Sequence, residues 1–528
     1  MKKNALLLLI SAFCIALYSF KWQPKVAEKP NVLFIAVDDL KPLLNCYGAT
    51  YMHTPNIDRL AKMGTVFMNN YCQQAVCAPT RASLLTGMRP DYTRIWDLKT
   101  QIRDMNPSIR TLPQYFKENG YVTAGIGKVF DNRSVDKGED TPSWLIPYER
   151  LKETDFAEGF GRPKRNYYQS PKTLEILARI EAEAKKKGLL GVELSDFMNA
   201  NRGPAVESAD VPDHAYPDGA VANRATKTIA QLAESKQPFF YAVGFSRPHL
   251  PFCSPQKYWN LYKRDQIKTA VFQNKSQDAP DFAFQASGEL FNNYLQSDGQ
   301  HFRKGYTPQA DSIQKELIHG YYASVSYLDA QVGKLLDALD KNGLAKNTII
   351  VLWGDHGWHL GDHAMWCKHS NFEQATRAPL IITSPNFKGN QKATGLSEFV
   401  DVFPTLAALA GLNIPDGLAG KSLVPMLKNP KTSVKHYAVS QYPRKENKDD
   451  LMGYSIRTKE FRYTAWFKTA FYQNKTLSSA KPIAVELYNY QHDPNETINV
   501  ANKPELQQIV KQHELLMTDF LTKQKHTR

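Results

Sequence analysis

The sequence predicts an α/β fold in which helices flank a large, mostly parallel central sheet. Four short runs are almost continuously apolar, as is typical of parallel strands buried on both faces. Helical or loop-like segments separate these runs. After about residue 435, short strand-like runs precede a closing helix at 503–522, which indicates a smaller sheet-plus-helix domain.

The predicted strands span residues 32–37, 121–126, 239–245 and 348–353. Residues 173–188 (TLEILARIEAEAKKKG) predict an exposed helix that ends at its glycine. Residues 320–339 have helical periodicity and lead into the fourth strand, whereas 265–312 are polar and loop-like.

The N-terminus resembles a signal peptide. Lys2 and Lys3 precede an apolar run at 5–19, which is short for a membrane span, and a polar stretch follows. We therefore expect a signal peptide at 1–22, a large domain at 28–435 and a smaller domain at 436–528. The protein would be exported, periplasmic or secreted. A lipid anchor at Cys14 is an alternative that the bulky Phe13 disfavours.

The composition is that of a globular, basic protein. Its formal net charge of +14 favours anionic partners such as nucleic acid, a membrane surface or an acidic polysaccharide, and a generally basic surface is the alternative. The sequence has no zinc-finger spacing and no RNA-binding signature, so we expect no nucleic-acid partner. No later segment is apolar and long enough to form a stable membrane span.

Cysteine usage argues against a disulfide scaffold. Six cysteines are present, and removal of the signal segment leaves five, so at least one thiol is unpaired. A zinc–thiolate site is disfavoured because the sequence has no CxxC pair.

Charged or imidazole side chains follow all four predicted strands. Because ligands of open parallel sheets bind beyond the carboxyl ends of the strands, we expect these side chains to converge on one site. They are Asp38, Asp39, Lys128, His249, Asp355 and His356.

Asp38 and Asp39 form an adjacent carboxylate pair, which repels unless a cation neutralises it. Calcium takes oxygen ligands of this kind, whereas a helix N-cap would need only one aspartate. Asp355 and His356 at the end of another strand strengthen the metal interpretation, although a simple turn is the alternative for this dipeptide.

Residues 77–87 (CAPTRASLLTG) predict a short helix, with Pro79 in its first turn and Gly87 at its end. Cys77 would then lie at the helix N-terminus, which attracts anions and lowers the pKa of a thiol. The alternative is a buried structural cysteine.

The pattern Cys77-x-Pro79-x-Arg81 followed by ASLLTG resembles the signature of type I sulfatases. The wider chain is similar to the iduronate-2-sulfatase branch of that family. Segments 37–48, 55–91, 242–252 and 355–381 are among those that carry the resemblance, which covers nearly the whole chain after the signal segment. It implies an alkaline-phosphatase-like sulfatase fold and a sulfuric ester hydrolase activity.

The resemblance also implies a cofactor and a modification. A separate maturation enzyme would oxidise Cys77 to formylglycine (3-oxoalanine), whose hydrated form has one hydroxyl to attack sulfur and a second that allows sulfate to leave. One calcium ion per chain would be held by Asp38, Asp39, Asp355 and His356, with the modified Cys77 as a further ligand.

The remaining roles follow from the same resemblance. Arg81 would hold the diol and balance the carboxylates, and Asp355 would assist the attacking hydroxyl. Lys128 and Lys368 would bind sulfate oxygens, and His249 would contact sulfate and protonate the leaving alcohol. Without the matching segments, Lys128 and Lys368 would be ordinary solvated lysines and His249 a packed loop residue.

The chain departs from the iduronate-2-sulfatase branch at two positions where that branch has histidine. Asp131 follows the matching segment at 127–130, and Arg377 lies in the segment at 355–381. Asn132 or His359 are candidates to compensate for the histidine missing at 131. These changes leave the sulfatase class intact and put the substrate in doubt.

Three functions are compatible with the sequence. The leading one is an exo-acting sulfatase on a sulfated polysaccharide or its oligosaccharides, with a 2-sulfated uronic acid as one candidate sugar. The second is a phosphate- or phosphonate-ester hydrolase on the same fold. The third is a glycan-binding protein without activity, which the full set of charged groups disfavours.

Overall fold

The computed structural model describes residues 29–136, 139–468 and 481–525. The predicted signal peptide at 1–22 and Cys14 lie outside the described residues. The strands are β1 Asn31–Val37, β2 Thr65–Tyr71, β3 Val122–Gly127, β4 Val206–Ala209, β5 Phe239–Phe245, β6 Phe252–Pro255, β7 Thr348–Gly354, β8 His359–Leu360, β9 Trp366–Cys367, β10 Leu380–Thr383, β11 Gln391–Glu398, β12 Ala438–Glu446, β13 Asp449–Arg457, β14 Phe461–Lys468 and β15 Ala484–Asn489.

The α-helices alternate with these strands and range from single turns to 31 residues. They are α1 Pro55–Met63, α2 Cys77–Thr86, α3 Pro90–Thr93, α4 Ile102–Met105, α5 Leu112–Glu118, α6 Pro171–Lys186, α7 Gly191–Ala200, α8 Pro217–Ser235, α9 Gln256–Trp259, α10 Gly288–Phe291, α11 Asp311–Lys341, α12 Glu373–Thr376, α13 Val402–Leu409, α14 Val424–Lys428 and α15 Gln507–Lys525.

The central sheet has seven strands in the order β11-β2-β10-β7-β1-β5-β3. Strands β7, β1, β5 and β3 pair in parallel, and these are the four strands that the sequence predicts. Strand β10 is antiparallel to both of its neighbours, so the sheet is mixed but mostly parallel. The predicted architecture is confirmed.

Alternate residues of β1 face two separate cores. Leu33 and Ile35 pack into the core that contains helices α8 and α11. Phe34 and Ala36 pack into the core on the other face, with residues of α2, α5 and α13. Because both faces are covered, β1 must be apolar throughout, and the first polar position is the one where the strand ends.

Helix α11 begins nine residues before the predicted start at 320, and Asp311 forms its first turn. The polar first turns carry no continuous apolar stripe, so periodicity detects only the buried remainder. The predicted helix at 173–188 corresponds to α6, which buries Ile176, Leu177 and Ile180 and is therefore amphipathic rather than fully exposed.

A second, antiparallel sheet of β12-β13-β14-β15 and the closing helix α15 form the C-terminal part of the chain. Their apolar side chains make a core of their own. This confirms the smaller sheet-plus-helix unit, whereas the exact domain division at 435/436 stays a prediction.

Within the described residues, no helix is long and apolar enough to cross a membrane. The five cysteines after the signal segment all have free thiols, four of them buried. They are Cys46, Cys72, Cys77, Cys253 and Cys367.

Strands β3 and β5 approach each other so closely at Gly127 that no side chain fits. Gly127 has a φ of 79°, and an added Cβ would lie 2.0 Å from the Gly244 carbonyl oxygen. The next residue, Lys128, donates its backbone N–H to the same oxygen at 3.1 Å. The absence of a side chain at 127 therefore determines where Lys128 emerges from the sheet.

We predict that Gly127→Ala lowers the free energy of unfolding by more than the cost of placing alanine at a positive φ, because the added Cβ also clashes with the neighbouring strand. Gly120 is the matched control, since its φ is 82° and no atom lies within 4 Å of an added Cβ. We expect a loss of about 1–2 kcal/mol for Gly120→Ala and about 1–3 kcal/mol more for Gly127→Ala. Urea denaturation of both variants would measure the difference, and equal losses would contradict the steric explanation.

Candidate functional site

Backbone hydrogen bonds extend the parallel sheet beyond its strand ends and bring the predicted residues together. Asp355 N–H donates to the Val37 carbonyl at 3.0 Å, and Asp38 N–H donates to the Phe245 carbonyl at 3.1 Å. The residues after β1, β3, β5 and β7 therefore lie at one edge, as the sequence predicts.

Arg81 joins three of these strand ends through its buried guanidinium. Its Nη2 donates to Asp38 Oδ1 at 3.0 Å, and its Nε donates to Asp355 Oδ2 at 3.0 Å. Its Nη1 donates to the carbonyls of Lys128 and Val129. The Arg81 side chain is completely buried, so these partners replace all of its hydration.

Asp39 adopts a left-handed backbone conformation, with a φ of 58°. The Tyr321 hydroxyl donates to the Asp39 carbonyl at 2.8 Å, and the Asp39 N–H donates to Asp355 Oδ1 at 2.9 Å. These contacts hold a conformation that aspartate tolerates better than most residues. The side chains of Asp38 and Asp39 contact different cations: Asp38 contacts Arg81 and Lys128, whereas Asp39 contacts Lys368.

A group of metal-ligand atoms surrounds Asp39. Ligand atoms of Asp39, Cys77, Asp355 and His356 all lie within 4.8 Å of one another, and so do those of Asp38, Asp39, Cys77 and His249. All the members of the first group are buried. The set is rich in carboxylate oxygen, which suits a hard cation.

The orientation of His356 indicates that this group fits a cation. His356 Nδ1 lies 2.9 Å from the Gly357 carbonyl, to which it can only donate. In the neutral ring Nε2 is then the nitrogen with the lone pair, and it lies 3.3 Å from Asp39 Oδ1. A lone pair facing a carboxylate is repulsive unless a cation or proton lies between them, and a backbone hydrogen bond on the far nitrogen is typical of metal-binding histidines.

Cys77 is the first residue of α2 and is 1% exposed. Its Sγ lies 3.6 Å from His356 Nε2 and 3.9 Å from Asp39 Oδ1. Burial and the charge of Asp38 raise the pKa of the Cys77 thiol well above its ordinary value. The expectation that the helix N-terminus lowers this pKa is therefore wrong for the unmodified thiol, because burial and neighbouring carboxylates outweigh the helix.

Lys128 and Lys368 each contact one member of the aspartate pair. Lys128 Nζ is 2.6 Å from Asp38 Oδ2, and Lys368 Nζ is 3.0 Å from Asp39 Oδ2. Although burial opposes ionisation, the charges of Lys128 and Arg81 hold the pKa of Asp38 well below its ordinary value. Neither lysine is an ordinary solvated side chain, since their side chains are 19% and 2% exposed.

Sequence reasoning missed Glu289, which lies in the short helix α10. Its carboxylate is 2.8 Å from Lys368 Nζ and 3.1 Å from His249 Nε2. Despite burial, the charge of Lys368 and the hydrogen bond from His249 lower the pKa of Glu289 well below its ordinary value. No motif or periodicity in the polar segment 265–312 points to this residue, because its partners come from distant parts of the chain.

The loop that carries His249 is fixed by the first turn of α8. The Asp218 carboxylate accepts the backbone N–H groups of Ser246 and Arg247 at 3.0 and 2.6 Å. His249 Nε2 lies 3.7 Å from Asp39 Oδ2, and the side chain is 20% exposed. The structure therefore places His249 at the site rather than in a packed loop.

Asp131 and Arg377, the two residues that stand where the iduronate-2-sulfatase branch has histidine, have different surroundings. Asp131 is buried beside Lys128, with 3.7 Å between the carboxylate and the ammonium. Arg377 donates to the Met68 carbonyl, away from the strand-end carboxylates. Of the two compensating candidates, Asn132 lines the cavity next to Lys128, whereas His359 is buried against Asp362 and Ser370.

An open cavity of about 730 Å³ leads to the site. Asp38, Lys128 and His249 line it together with several arginines and tyrosines. The wall includes Arg133, Tyr148, Arg150, Arg162, Tyr167, Arg202, Arg247 and Tyr294. This volume lies within the roughly 300–1,000 Å³ typical of small-molecule sites.

Residues 30–412 match the family model described as Sulfatase, and residues 361–523 match the C-terminal model of N-sulphoglucosamine sulphohydrolase. Iduronate 2-sulfatase of Mus musculus is 36% identical, over 94% of this chain and 95% of the mouse protein. The chain belongs to the sulfatase family.

Two solved structures share the fold of this sulfatase. A putative sulfatase from Bacteroides thetaiotaomicron has a TM-score of 0.63 at 21% identity, covering 94% of this chain and 93% of the other. A phosphonate monoester hydrolase of Agrobacterium radiobacter has a TM-score of 0.67 at 20% identity, covering 94% and 96%. These two structures confirm the alkaline-phosphatase-like sulfatase fold. The Sulfatase family model and the iduronate 2-sulfatase relative confirm the sulfuric ester hydrolase class.

We predict that Arg81→Lys destabilises the sulfatase by about 3–5 kcal/mol, because lysine cannot bridge both buried carboxylates. Arg59→Lys is the matched control. Arg59 also bridges two carboxylates, Asp337 and Asp340, at 2.6 Å each, but at an exposed surface. We expect it to lose less than about 1 kcal/mol. Urea denaturation in the presence of a chelator would compare the two, and similar losses would contradict the bridging role of Arg81.

Proposed function

We propose that this sulfatase hydrolyses sulfate esters on a sugar of a sulfated polysaccharide or its oligosaccharides, with Cys77 converted to formylglycine and calcium as the metal. The observation that carries the proposal is the position of Cys77. Its Sγ lies within 4.8 Å of ligand atoms of Asp38, Asp39 and His249, and Asp38 and His249 line the cavity. A side chain modified at this position would lie next to Asp38 and His249, two of the residues that an ester entering the cavity would contact.

The roles of the charged residues follow from their contacts. Lys128 is held by Asp38 and Lys368 by Asp39, and both lysines would bind the sulfate oxygens on which charge develops. His249 lines the cavity and would protonate the departing sugar alcohol. Arg81 holds Asp38 and Asp355 in place, and Asp355 would receive a proton from the group at position 77.

Calcium would be held by Asp38, Asp39, Asp355 and His356, with modified Cys77 as a further ligand. When bound, it would acidify the attacking hydroxyl and neutralise sulfate oxygens. The oxygen-rich donor set and the position of His356 Nε2 beside Asp39 favour this assignment. Formylglycine, hydrated to a geminal diol by one water, would supply one hydroxyl to attack sulfur and displace the sugar alcohol, and a second hydroxyl whose deprotonation expels sulfate and restores the aldehyde.

A sulfated sugar is favoured as the substrate by the relatives and the cavity. The mouse relative is named iduronate 2-sulfatase, so a 2-sulfated uronic acid is one candidate. Arginines and tyrosines on the cavity wall suit an acidic, hydroxyl-rich ligand, and the net charge of +14 suits an anionic polymer.

The proposal has two cellular requirements. Formation of formylglycine needs a maturation enzyme that acts on the segment around Cys77. The signal-peptide pattern at 1–22 favours export to the periplasm or the exterior, where sulfated polysaccharides are accessible.

We expect the protein, co-expressed with a formylglycine-generating enzyme, to release sulfate from at least one member of a panel of sulfated uronates, hexosamines and algal disaccharides. Ion chromatography would measure the release. Cys77→Ala should abolish it, because no nucleophile remains, and Cys46→Ala is the matched control outside the site. With conversion of Cys77 verified by mass spectrometry, the absence of release from every sugar would refute the proposal. Release of phosphate from matching phosphate or phosphonate esters would then favour the alternative hydrolase.

We also expect calcium to stabilise the folded protein. At a hundredfold excess over its Kd, a single bound ion adds about 2.7 kcal/mol. Differential scanning fluorimetry with calcium and with a chelator would measure the shift in Tm, which Asp39→Asn should reduce and the surface variant Asp337→Asn should retain. A Tm that does not respond to calcium would contradict the metal assignment.

A further inference from the structure

Arg133 presents a cation to the cavity beside the sulfate-binding lysine. The Arg133 side chain is 47% exposed and lines the same cavity as Lys128 and His249. Its Nε and Nη2 donate to Asp131 Oδ1 and Oδ2 at 2.9 and 2.7 Å, a two-point contact that fixes the guanidinium plane. In the described parts of the chain, nothing accepts a hydrogen bond from Nη1, so this group is free to meet a ligand.

Asp131 is the buried carboxylate that holds the Arg133 guanidinium in place. Its side chain is 0% exposed and lies between Arg133 and Lys128. Although burial opposes ionisation, the hydrogen bonds from Arg133 and the charge of Lys128 lower the pKa of Asp131 to about 2. The backbone N–H of Arg133 also donates to Asp131 Oδ1 at 3.1 Å. The Asp131 carboxylate is therefore ionised, and the neighbouring cations of the protein compensate its charge.

The burial of Asp131 prevents the repulsion that a carboxylate next to a sulfate pocket would otherwise cause. An exposed Asp131 would repel an anionic substrate, whereas the buried Asp131 is paired with Arg133 and shares Lys128 with Asp38. The carboxylates are balanced inside the protein, and the exposed part of this corner is the guanidinium rather than the carboxylate. A cation exposed in the same cavity as Lys128 and His249 can attract an acidic group on the same sugar or on the neighbouring sugar.

We infer that Arg133, oriented by Asp131, forms a second anion subsite that selects sugars bearing an additional acidic group, a carboxylate or a second sulfate, next to the sulfate ester that is cleaved. This inference rests on the proposed sugar sulfatase activity and names its substrate class. Arg133 is the specificity-determining residue, and Asp131 is a positioning residue.

Three methyl glycosides of one sugar frame test the subsite. They are a hexoside 2-sulfate, the uronoside 2-sulfate and the hexoside 2,6-disulfate, so that the second acidic group is absent, a carboxylate or a sulfate. Sulfate release would give kcat/KM for the converted enzyme, and calorimetry with the Cys77→Ala protein would give Kd without turnover.

We expect Arg133→Gln to weaken binding and lower kcat/KM about tenfold or more for a probe with a second acidic group, the loss of one charge-assisted contact. The hexoside 2-sulfate should change less than about twofold. Whether the loss falls on the uronoside, the disulfate or both identifies the acid that is recognised. Arg110→Gln is the matched control, because Arg110 pairs with Glu118 at the surface and does not line the cavity.

Arg133→Gln leaves Asp131 with fewer partners, so folding is checked by Tm. The double variant Asp131→Asn with Arg133→Gln removes both charges and keeps the test valid if the single variant is unstable. Arg133→Lys should retain part of the preference, and Asp131→Asn should weaken it without removing the cation.

The outcomes separate the inference from the proposed function. Equal effects of Arg133→Gln on all three probes, or no effect on binding, would overturn the inference while sulfate release leaves the proposed function intact. Arg133-dependent binding of the acidic probes, together with no sulfate release from these probes or from any sugar of the panel above, would overturn the proposed function and retain the subsite. Absence of binding and cleavage of all three probes would overturn the inference, and the sugar panel would then decide the proposed function.

Discussion

The buried guanidinium of Arg81 is the interaction on which the rest of the site depends. Carboxylates at the ends of β1 and β7 lie in an interior where an uncompensated charge is costly, and Arg81 contacts both of them as well as the backbone after β3. Because Arg81 lies one turn into α2, the same contacts hold Cys77 at the helix start against the aspartates. The position of Cys77 is thus linked to the charge balance of the sheet edge.

Charge pairing extends outward from this centre. Lys128 contacts Asp38, Lys368 contacts Asp39 and Glu289, and Asp131 lies between Lys128 and Arg133. Each buried carboxylate therefore has at least one cationic neighbour. Arg133 is the part of the network that is substantially exposed within the cavity. This pairing balances the buried acids inside the protein and leaves positive charge facing the cavity, which suits the anionic ester of the proposed function.

Sequence reasoning predicted the parallel strands and their polar ends because buried strands must be apolar until they leave the sheet. It predicted the importance of Cys77 and Arg81 from a local motif. It failed for Glu289, whose polar segment has no periodic pattern, and it placed the start of α11 too late for a similar reason. It also expected a lowered pKa for Cys77, since a helix N-terminus is visible in the sequence but the burial that opposes it is not.

The sequence by itself determined the fold class, the sulfatase family and the set of strand-end residues, because these depend on hydrophobic pattern and on short motifs that are local in the chain. Only the tertiary structure decided which charges meet. Glu289 joins Lys368 across 79 residues, and Arg81 joins Asp355 across 274. The fate of Asp131, buried and covered by Arg133 rather than facing the cavity, is also a three-dimensional outcome. Electrostatic partners depend on distance and burial, which the order of residues along the chain does not specify.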